Sequence, residues 1–201
     1  MTFIEGRPLV LASTSRTRWC LLTASGLDIE SDPPEVDETA VKETAGDLDA
    51  FQLASLLSET KALAVSVRRP ESLIIGADQI LVCDGVRFDK PADRSNAHDQ
   101  LRFLRGRHHQ LLSGIALVFA SKVLWRHVGV ADLWMRSFSD SFLEDYLDRV
   151  GPDVLSSVGA YHLEGLGGQL FQTVRGDYFT ILGLPLLELL HKLRELGVLP
   201  A

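Results

Sequence analysis

An acidic residue lies in the middle of an apolar segment, and a lysine follows it after a turn. Asp78 stands within Leu73–Cys83, where most residues are apolar and of types that favour β-strands. A carboxylate in such surroundings costs stability unless it meets a cation. Lys90 comes shortly after the hairpin signal Asp84-Gly85. Two readings stay open: a buried ion pair between Asp78 and Lys90, or a metal-phosphate site in which Asp78 binds metal or takes a proton from water.

Three closely spaced acids follow a Pro-Pro turn. Glu35, Asp37 and Glu38 offer the oxygen ligands that a hard divalent cation prefers, although such a cluster taken alone is more often a solvated acidic loop. Mg²⁺ commonly takes one or two carboxylates together with substrate phosphates, so a cation shared with Asp78 is a coherent hypothesis. In that site Lys90 would hold a phosphate oxygen. Lys61, on a predicted helix, would either join it or be solvated.

A hydroxyl-rich segment connects the first predicted strand to the first predicted helix. The start of a helix presents free backbone N–H groups and a partial positive charge. Arg16 and Arg18 in the first turn oppose that charge, but a bound anion would reverse the effect. The helix N–H groups, Ser13, Ser15 and Arg18 would then converge on a phosphate. The alternative is a serine N-cap followed by two solvated arginines.

Strands and helices alternate along the chain, which predicts an α/β protein. Apolar runs and turn signals predict strands at 8–12, 73–83, 86–88, 110–119, 123–125, 128–138, 158–163 and 169–174. Apolar residues at helical spacing predict helices at 16–24, 47–65, 94–104, 139–150 and 184–196.

Composition excludes several classes of protein. The net charge of −7 opposes a general nucleic-acid binder, whose affinity rests on phosphate neutralisation. No apolar run reaches the ~20 residues of a membrane span, and the N-terminus lacks a secretory signal, so a cytoplasmic protein is expected. Cys20 and Cys83 lack metal-ligand spacing and are expected to be core thiols. His108 and His109 are adjacent on a predicted strand and should point to opposite faces.

The order of short motifs resembles the Maf proteins, which are nucleoside triphosphate pyrophosphatases related in fold to the inosine triphosphate pyrophosphatases. The resemblance runs over nearly the full chain and predicts a single domain, 1–201. Its pieces are Leu11-Ala-Ser-Thr-Ser15, Glu35-Val-Asp-Glu38, Ile75-Gly-Ala-Asp-Gln79, Asp89-Lys-Pro91, Gly106 with His109, Gly159-Ala-Tyr161, Glu164-Gly-Leu-Gly167, and Gly176-Asp-Tyr178 with Gly183-Leu-Pro185.

The resemblance implies a mixed, twisted sheet with flanking helices, forming two lobes around a central cleft. It implies hydrolysis of a nucleoside triphosphate between the α and β phosphates with a divalent metal, Mg²⁺ or Mn²⁺, and homodimers are common in the family. By position, Asp78 matches the family's general base, and Glu38 and Asp78 match the residues that bind the metal. The remaining matches are to phosphate-binding groups at Ser13, Arg18, Lys61 and Lys90, and to base-selecting groups at Gln79 and Glu164.

The chain departs from the family pattern at several positions. Arg16 replaces a proline, and Thr17 stands where many members have a second arginine. Gln79 and Glu164 look more like the branch that acts on 7-methyl-GTP than like the dTTP/UTP branch. A carboxylate at Glu164 could accept hydrogen bonds from a guanine edge or favour a methylated, cationic base.

Two other functions stay open. The first is a nucleotide-binding regulator without turnover, because the family name derives from an effect on septum formation. The second is a nucleic-acid binder that uses Arg105, Arg107 and the histidine pair, which the net charge opposes.

Overall fold

Strands and helices alternate along the chain in the computed structural model, which describes residues 6–200. Within this range the strands are β1 Leu9–Ala12, β2 Ile29–Ser31, β3 Leu73–Cys83, β4 Val86–Phe88, β5 His108–Phe119, β6 Lys122–Met135 and β7 Phe171–Arg175. The α-helices are α1 Arg16–Ala24, α2 Glu38–Thr44, α3 Ala50–Arg68, α4 Arg94–Leu104, α5 Asp140–Val150, α6 Tyr178–Ile181 and α7 Leu186–Glu195. Short 3₁₀ segments cover Gly151–Ser156, Val158–Ala160 and Leu166–Leu170.

The strands form one mixed sheet. Their order is β2-β1-β3-β5-β6-β7, with β4 paired to β3. Strand β1 runs parallel to both neighbours, with Leu9 opposite Ile29 and Leu73. The β3/β4 and β6/β7 pairs are antiparallel. The predicted α/β class with a mixed sheet and helices is therefore confirmed.

The chain divides into two compact units. The first contains the described chain up to Asp78, Ser113–Gly129, and the chain from Gly183 onward; the second contains Gln79–Leu112 and Val130–Leu182. Strands β3, β5 and β6 each contribute residues to both units. One domain with two lobes around a cleft stays a prediction.

Helix α3 lies against the strands of the first unit with almost no space between them. A Cβ atom at Gly76 of β3 would lie 2.0 Å from the carbonyl oxygen of Ser58, and one at Gly114 of β5 would lie 2.2 Å from that of Ala54. Glycine at these two positions therefore lets the helix backbone approach the sheet. The apolar core beside it contains Val10, Ala12, Ala62, Val65, Ile74, Ala116 and Val118.

The second unit has its own apolar core. Helices α4 and α5 pack there with the ends of β3 and β5 and with β6, through residues such as Leu81, Leu101, Leu133 and Leu147. The Tyr146 hydroxyl donates to the carbonyl of Ala160 at 3.1 Å.

Several predicted bounds change for identifiable reasons. Helix α3 begins at Ala50 rather than at residue 47 because Asp49 and Gln52 form a capping box: Gln52 N donates to Asp49 Oδ1 at 2.7 Å, and Asp49 N to Gln52 Oε1 at 3.1 Å. The strands predicted at 123–125 and 128–138 are one strand, β6. A strand at 158–163 is wrong, since Gly159 and Ala160 have φ angles of +78° and +60° within a 3₁₀ segment.

Two further observations concern exposure. Cys83 is buried as expected. Cys20 is exposed, so the expectation of a core thiol is wrong there; the buried residue of α1 is Leu22. None of the helices between residues 6 and 200 has both the length and the hydropathy that crossing a bilayer requires.

Candidate active site

Asp78 meets its cation on the face of β3 that packs against α3. Side chains alternate along a strand, so Asp78 points to the same side as Gly76. Lys61, from the helix that Gly76 contacts, forms an ion pair with Asp78. Both residues are buried, with 6% and 7% of their surfaces exposed. Spacing alone suggested Lys90 as the partner; the structure pairs Asp78 with Lys61, and a pair with Lys90 stays a prediction.

Glu38 joins the same ammonium from another element. Its carboxylate Oε1 lies 2.8 Å from Lys61 Nζ. Asp37 caps the helix that carries Glu38, because its Oδ1 accepts a hydrogen bond from Ala40 N at 3.0 Å. Glu35 turns toward Arg68, 3.8 Å away. Of the three acids in the sequence cluster, Glu38 is therefore the one that reaches the Asp78 site.

The pair of carboxylates fits a divalent cation. Among residues 6–200 no group of three or more His, Cys, Asp or Glu side chains could hold a metal. Glu38 and Asp78 nevertheless converge on one positive charge, Lys61 Nζ, from two different elements. Two carboxylates supplemented by substrate phosphates and water are a common donor set for Mg²⁺. Glu38 and Asp78 are thus the residues that would hold it.

Arg18 is anchored beside this cluster. Its Nε donates to the carbonyl of Gly183 at 2.8 Å, and its Nη1 donates to the carbonyl of Ala77 at 3.0 Å and to Ser13 Oγ at 3.3 Å. Burial lowers the pKa of the guanidinium, and the carboxylates of Asp78 and Glu38 oppose that shift. An arginine keeps its charge even so. Arg18 therefore supplies a fixed cation next to Asp78.

The start of α1 has features of both hypotheses made from the sequence, a serine N-cap and a phosphate-binding helix start. Ser15 is the N-cap, and its Oγ accepts from Arg18 N at 3.3 Å. Ser13 is buried, and its Oγ accepts from Ser15 N at 3.1 Å as well as from Arg18. Arg16 is exposed, as the capping alternative expects, whereas Arg18 is held by protein oxygens. Ser13, Ser15 and Arg18 are therefore brought together.

Gln79 follows Asp78 but belongs to the second unit. Its Nε2 donates to two backbone carbonyls, those of Thr180 at 3.2 Å and Ile181 at 3.0 Å. Because both partners are acceptors, the amide nitrogen must face them. Both hydrogens of this nitrogen are therefore used by the protein.

Lys90 lines a cavity of about 420 Å³ between β4 and α4. Arg87, Asn96 and Phe103 line it too. The loop that carries Lys90 is tied to α4, since Gln100 Nε2 donates to the carbonyl of Asp89 at 3.0 Å. The lysine is therefore presented from a loop that is hydrogen-bonded to a helix.

Glu164 has a partner that sequence spacing did not single out. His162 Nδ1 lies 3.6 Å from Glu164 Oε1. Their interaction lowers the pKa of the Glu164 carboxyl and raises that of His162. The signal available in the sequence was their separation by a single residue at the start of a glycine-rich turn.

The predicted site residues thus fall into two sets. The first unit brings together Ser13, Ser15, Arg18, Glu38, Lys61 and Asp78, and the second unit carries Gln79, Lys90 and Glu164. That all nine serve one substrate stays a prediction.

Comparison with known proteins gives full-length relatives. A nucleoside triphosphate pyrophosphatase from Paramagnetospirillum magneticum is 50% identical over 192 residues, which cover 94% of this chain and 99% of that protein. A 7-methyl-GTP pyrophosphatase from Rhizobium etli is 50% identical over 194 residues, covering 95% and 97%. Another from Mesorhizobium japonicum is 47% identical over 193 residues, covering 95% and 97%.

The family comparison agrees with these relatives. The sequence profile described as Maf-like protein matches residues 8–196, which include every predicted site residue. The motif order, the mixed sheet and this match lead to one conclusion: the chain belongs to the Maf-like protein family.

Proposed function

We propose that this protein hydrolyses nucleoside triphosphates between the α and β phosphates, giving a nucleoside monophosphate and pyrophosphate. The observation that carries the proposal is the convergence of Asp78 and Glu38 on Lys61, with Arg18 anchored beside them. Two relatives that are 50% identical to this chain are named nucleoside triphosphate pyrophosphatase and 7-methyl-GTP pyrophosphatase. Such a cluster holds both the carboxylates and the cations that a triphosphate requires.

Asp78 is the proposed base. Its carboxylate is buried and held by Lys61, so it has a defined orientation toward a water molecule that it would orient or deprotonate. Lys61 and Arg18 would offset the negative charge that builds on the phosphates and on the pyrophosphate leaving group. Lys90 would add a cation, and Ser13 and Ser15 would add the polar groups of the helix start.

A divalent cation, Mg²⁺ or Mn²⁺, would be held by Glu38 and Asp78 together with substrate phosphates. It would supply charge neutralisation on the phosphoryl oxygens. The side chains would do the rest: Arg18 would position the phosphates, and Asp78 would orient the attacking water or accept its proton.

The base-selecting residues favour guanine. The Gln79 amide nitrogen donates to protein carbonyls, so a hydrogen bond to the base would use its carbonyl oxygen as the acceptor, and Glu164 is a carboxylate whose lowered pKa keeps it ionised. Guanine presents N–H donors along one edge, which two acceptors would match. A methyl group at N7 adds positive charge, which a carboxylate attracts, and two relatives carry the name 7-methyl-GTP pyrophosphatase.

One experiment tests the function. Standard and N7-methylated nucleoside triphosphates are incubated with the protein and Mg²⁺ or Mn²⁺, and the products are scored for pyrophosphate against phosphate. Release of pyrophosphate, fastest from 7-methyl-GTP, is the expected result. Nucleotide binding without turnover would instead support the regulator of cell division.

Two other expectations need separate experiments. Size measurement in the same buffer tests the expected homodimer, and fractionation of cells tests the expected cytoplasmic location.

A further inference from the structure

His162 links two segments of the second unit. Its Nε2 lies 2.8 Å from Ser156 Oγ and 3.2 Å from the carbonyl oxygen of Asp153. Its Nδ1 lies 3.6 Å from Glu164 Oε1. The imidazole therefore stands between the 3₁₀ segment Gly151–Ser156 and the carboxylate proposed to contact the base.

The hydrogen bonds fix which nitrogen carries the permanent proton. Ser156 Oγ donates to the carbonyl of Asp153 at 2.7 Å, so toward His162 its oxygen acts as an acceptor. The Asp153 carbonyl can only accept. Both neighbours of Nε2 thus require a proton on that nitrogen. A neutral imidazole would then turn the lone pair of Nδ1 toward the Glu164 carboxylate, whereas an imidazolium would present a proton to it.

The backbone holds the two side chains together. Gly165 N donates to the carbonyl of His162 at 3.1 Å, and a Cβ at Gly167 would lie 2.4 Å from that same oxygen. The turn is therefore too tight to accept a side chain at Gly167. The side chains of His162 and Glu164 keep 30% and 35% of their surface exposed, so a ligand can reach the carboxylate.

We propose that His162 is a positioning residue for base selection, acting by holding the Glu164 carboxylate in place and partly neutralising its charge. This inference rests on the proposed function, because it assumes that Glu164 contacts the base. While His162 is an imidazolium, Glu164 presents a screened charge. Once His162 loses its proton, Glu164 presents a full negative charge, which favours a cationic base over a neutral one.

Protonation is governed by the acids that face the ring. These are Glu164 on its own turn and Asp153 on the preceding 3₁₀ segment, and the interaction with the Glu164 carboxylate is the largest cause of the raised pKa of His162. The selectivity for a cationic base should therefore increase as pH rises through the His162 titration, above the usual range of histidine.

The kinetic test compares His162→Gln with a matched control. KM and kcat are measured for 7-methyl-GTP and GTP between about pH 5.5 and about pH 8.5. In the wild type the ratio of the two kcat/KM values should change by about threefold with pH, the size of a partly exposed ion pair, and mainly through KM. His98→Gln removes another histidine flanked by acids, Asp99 and Glu144, and should keep the wild-type profile.

The base of 7-methyl-GTP has a titration of its own, which is common to all three proteins. The difference between His162→Gln and the wild type is therefore the informative quantity. A His162→Gln profile that follows the wild type overturns the proposal. So does an equal loss of kcat for both substrates with unchanged KM.

A second measurement needs no turnover, and it separates this inference from the proposed function. The NMR titration of His162 is followed in the wild type and in Glu164→Gln. Removal of the carboxylate charge should lower the pKa of His162. An unchanged pKa would overturn the coupling even in an active enzyme, whereas a lowered pKa in a protein that releases no pyrophosphate would reject the proposed function and leave the coupling standing.

Discussion

Gly76 and Asp78 lie on the same face of β3, and the close helix approach that Gly76 permits brings Lys61 to the Asp78 carboxylate. The glycine and the acid therefore act together. Gly76 allows α3 to contact the strand backbone, and this contact places Lys61 of α3 where it pairs with Asp78.

Substitution of Gly76 by alanine tests this relationship. The added methyl group would meet the Ser58 carbonyl at 2.0 Å, and backbone atoms cannot move aside as a flexible side chain can. We expect a loss of about 3 kcal/mol in the free energy of unfolding, together with reduced turnover. Urea denaturation measures the first. Gly165→Ala, whose new carbon would lie 3.7 Å from its nearest neighbour, serves as the control and should stay close to the wild type.

Asp78→Asn should fold normally but lose about 10²-fold or more in turnover, because the amide keeps the shape of the carboxylate and cannot take a proton. Single-turnover kinetics measure the chemical step directly. Asp37→Asn is the matched control, since asparagine caps a helix as well as aspartate does. Near-normal turnover of Asp78→Asn would reject the role of Asp78 as base.

Lys61→Met removes the cation on which two carboxylates converge. Asp78 is buried, so we expect a loss of about 3 kcal/mol in stability without divalent metal, at the lower end for breaking a buried pair. Added Mg²⁺ or Mn²⁺ should raise the Tm of this variant more than that of the wild type, because the two carboxylates then lack the competing ammonium. If neither ion moves the Tm of the variant, with or without a nucleoside triphosphate, Glu38 and Asp78 are not the metal ligands.

His109 should make stability sensitive to acid. Burial lowers its pKa from 6.5 to about 4, and its Nε2 bonds to the Tyr161 hydroxyl at 2.8 Å. Below the unfolded pKa the unfolded chain binds the additional proton, so this stability is present above pH 6.5 and is lost as pH falls toward about 4. The free energy of unfolding should drop by about 2 kcal/mol between about pH 7 and about pH 5 from this group alone. In His109→Phe the drop should be smaller by that amount; an equal drop would assign the acid sensitivity to other groups.

Local signals account for the parts of the structure that the sequence predicted well. Strands β3 and β4 and helices α1 and α4 have the predicted bounds, because turn residues and N-caps such as Ser15 act over a few positions. The family resemblance assigned Glu38, Lys61 and Asp78 to one site, but it did not predict that both carboxylates pair with Lys61. Spacing could not have identified it, since the three residues come from three elements separated by many positions in the chain.

Other features depend on contacts that leave no local pattern. The pairing of His162 with Glu164 depends on how a glycine-rich turn folds back, and the orientation of the Gln79 amide depends on the distant carbonyl groups of Thr180 and Ile181. The anchoring of Arg18 by the Gly183 carbonyl is likewise a contact between remote segments.

Helix α2 has an ionic contact with its neighbour α3. None of its seven residues is buried, and its Glu38 reaches the Lys61 ammonium of α3. Ionic attraction weakens with added salt, whereas apolar packing does not. Amide hydrogens of Glu38–Thr44 should therefore exchange with solvent faster than those of α3, and the difference should widen as ionic strength rises. The proposed active site would thus be bordered by a helix whose local stability decreases as the ionic strength of the solution rises.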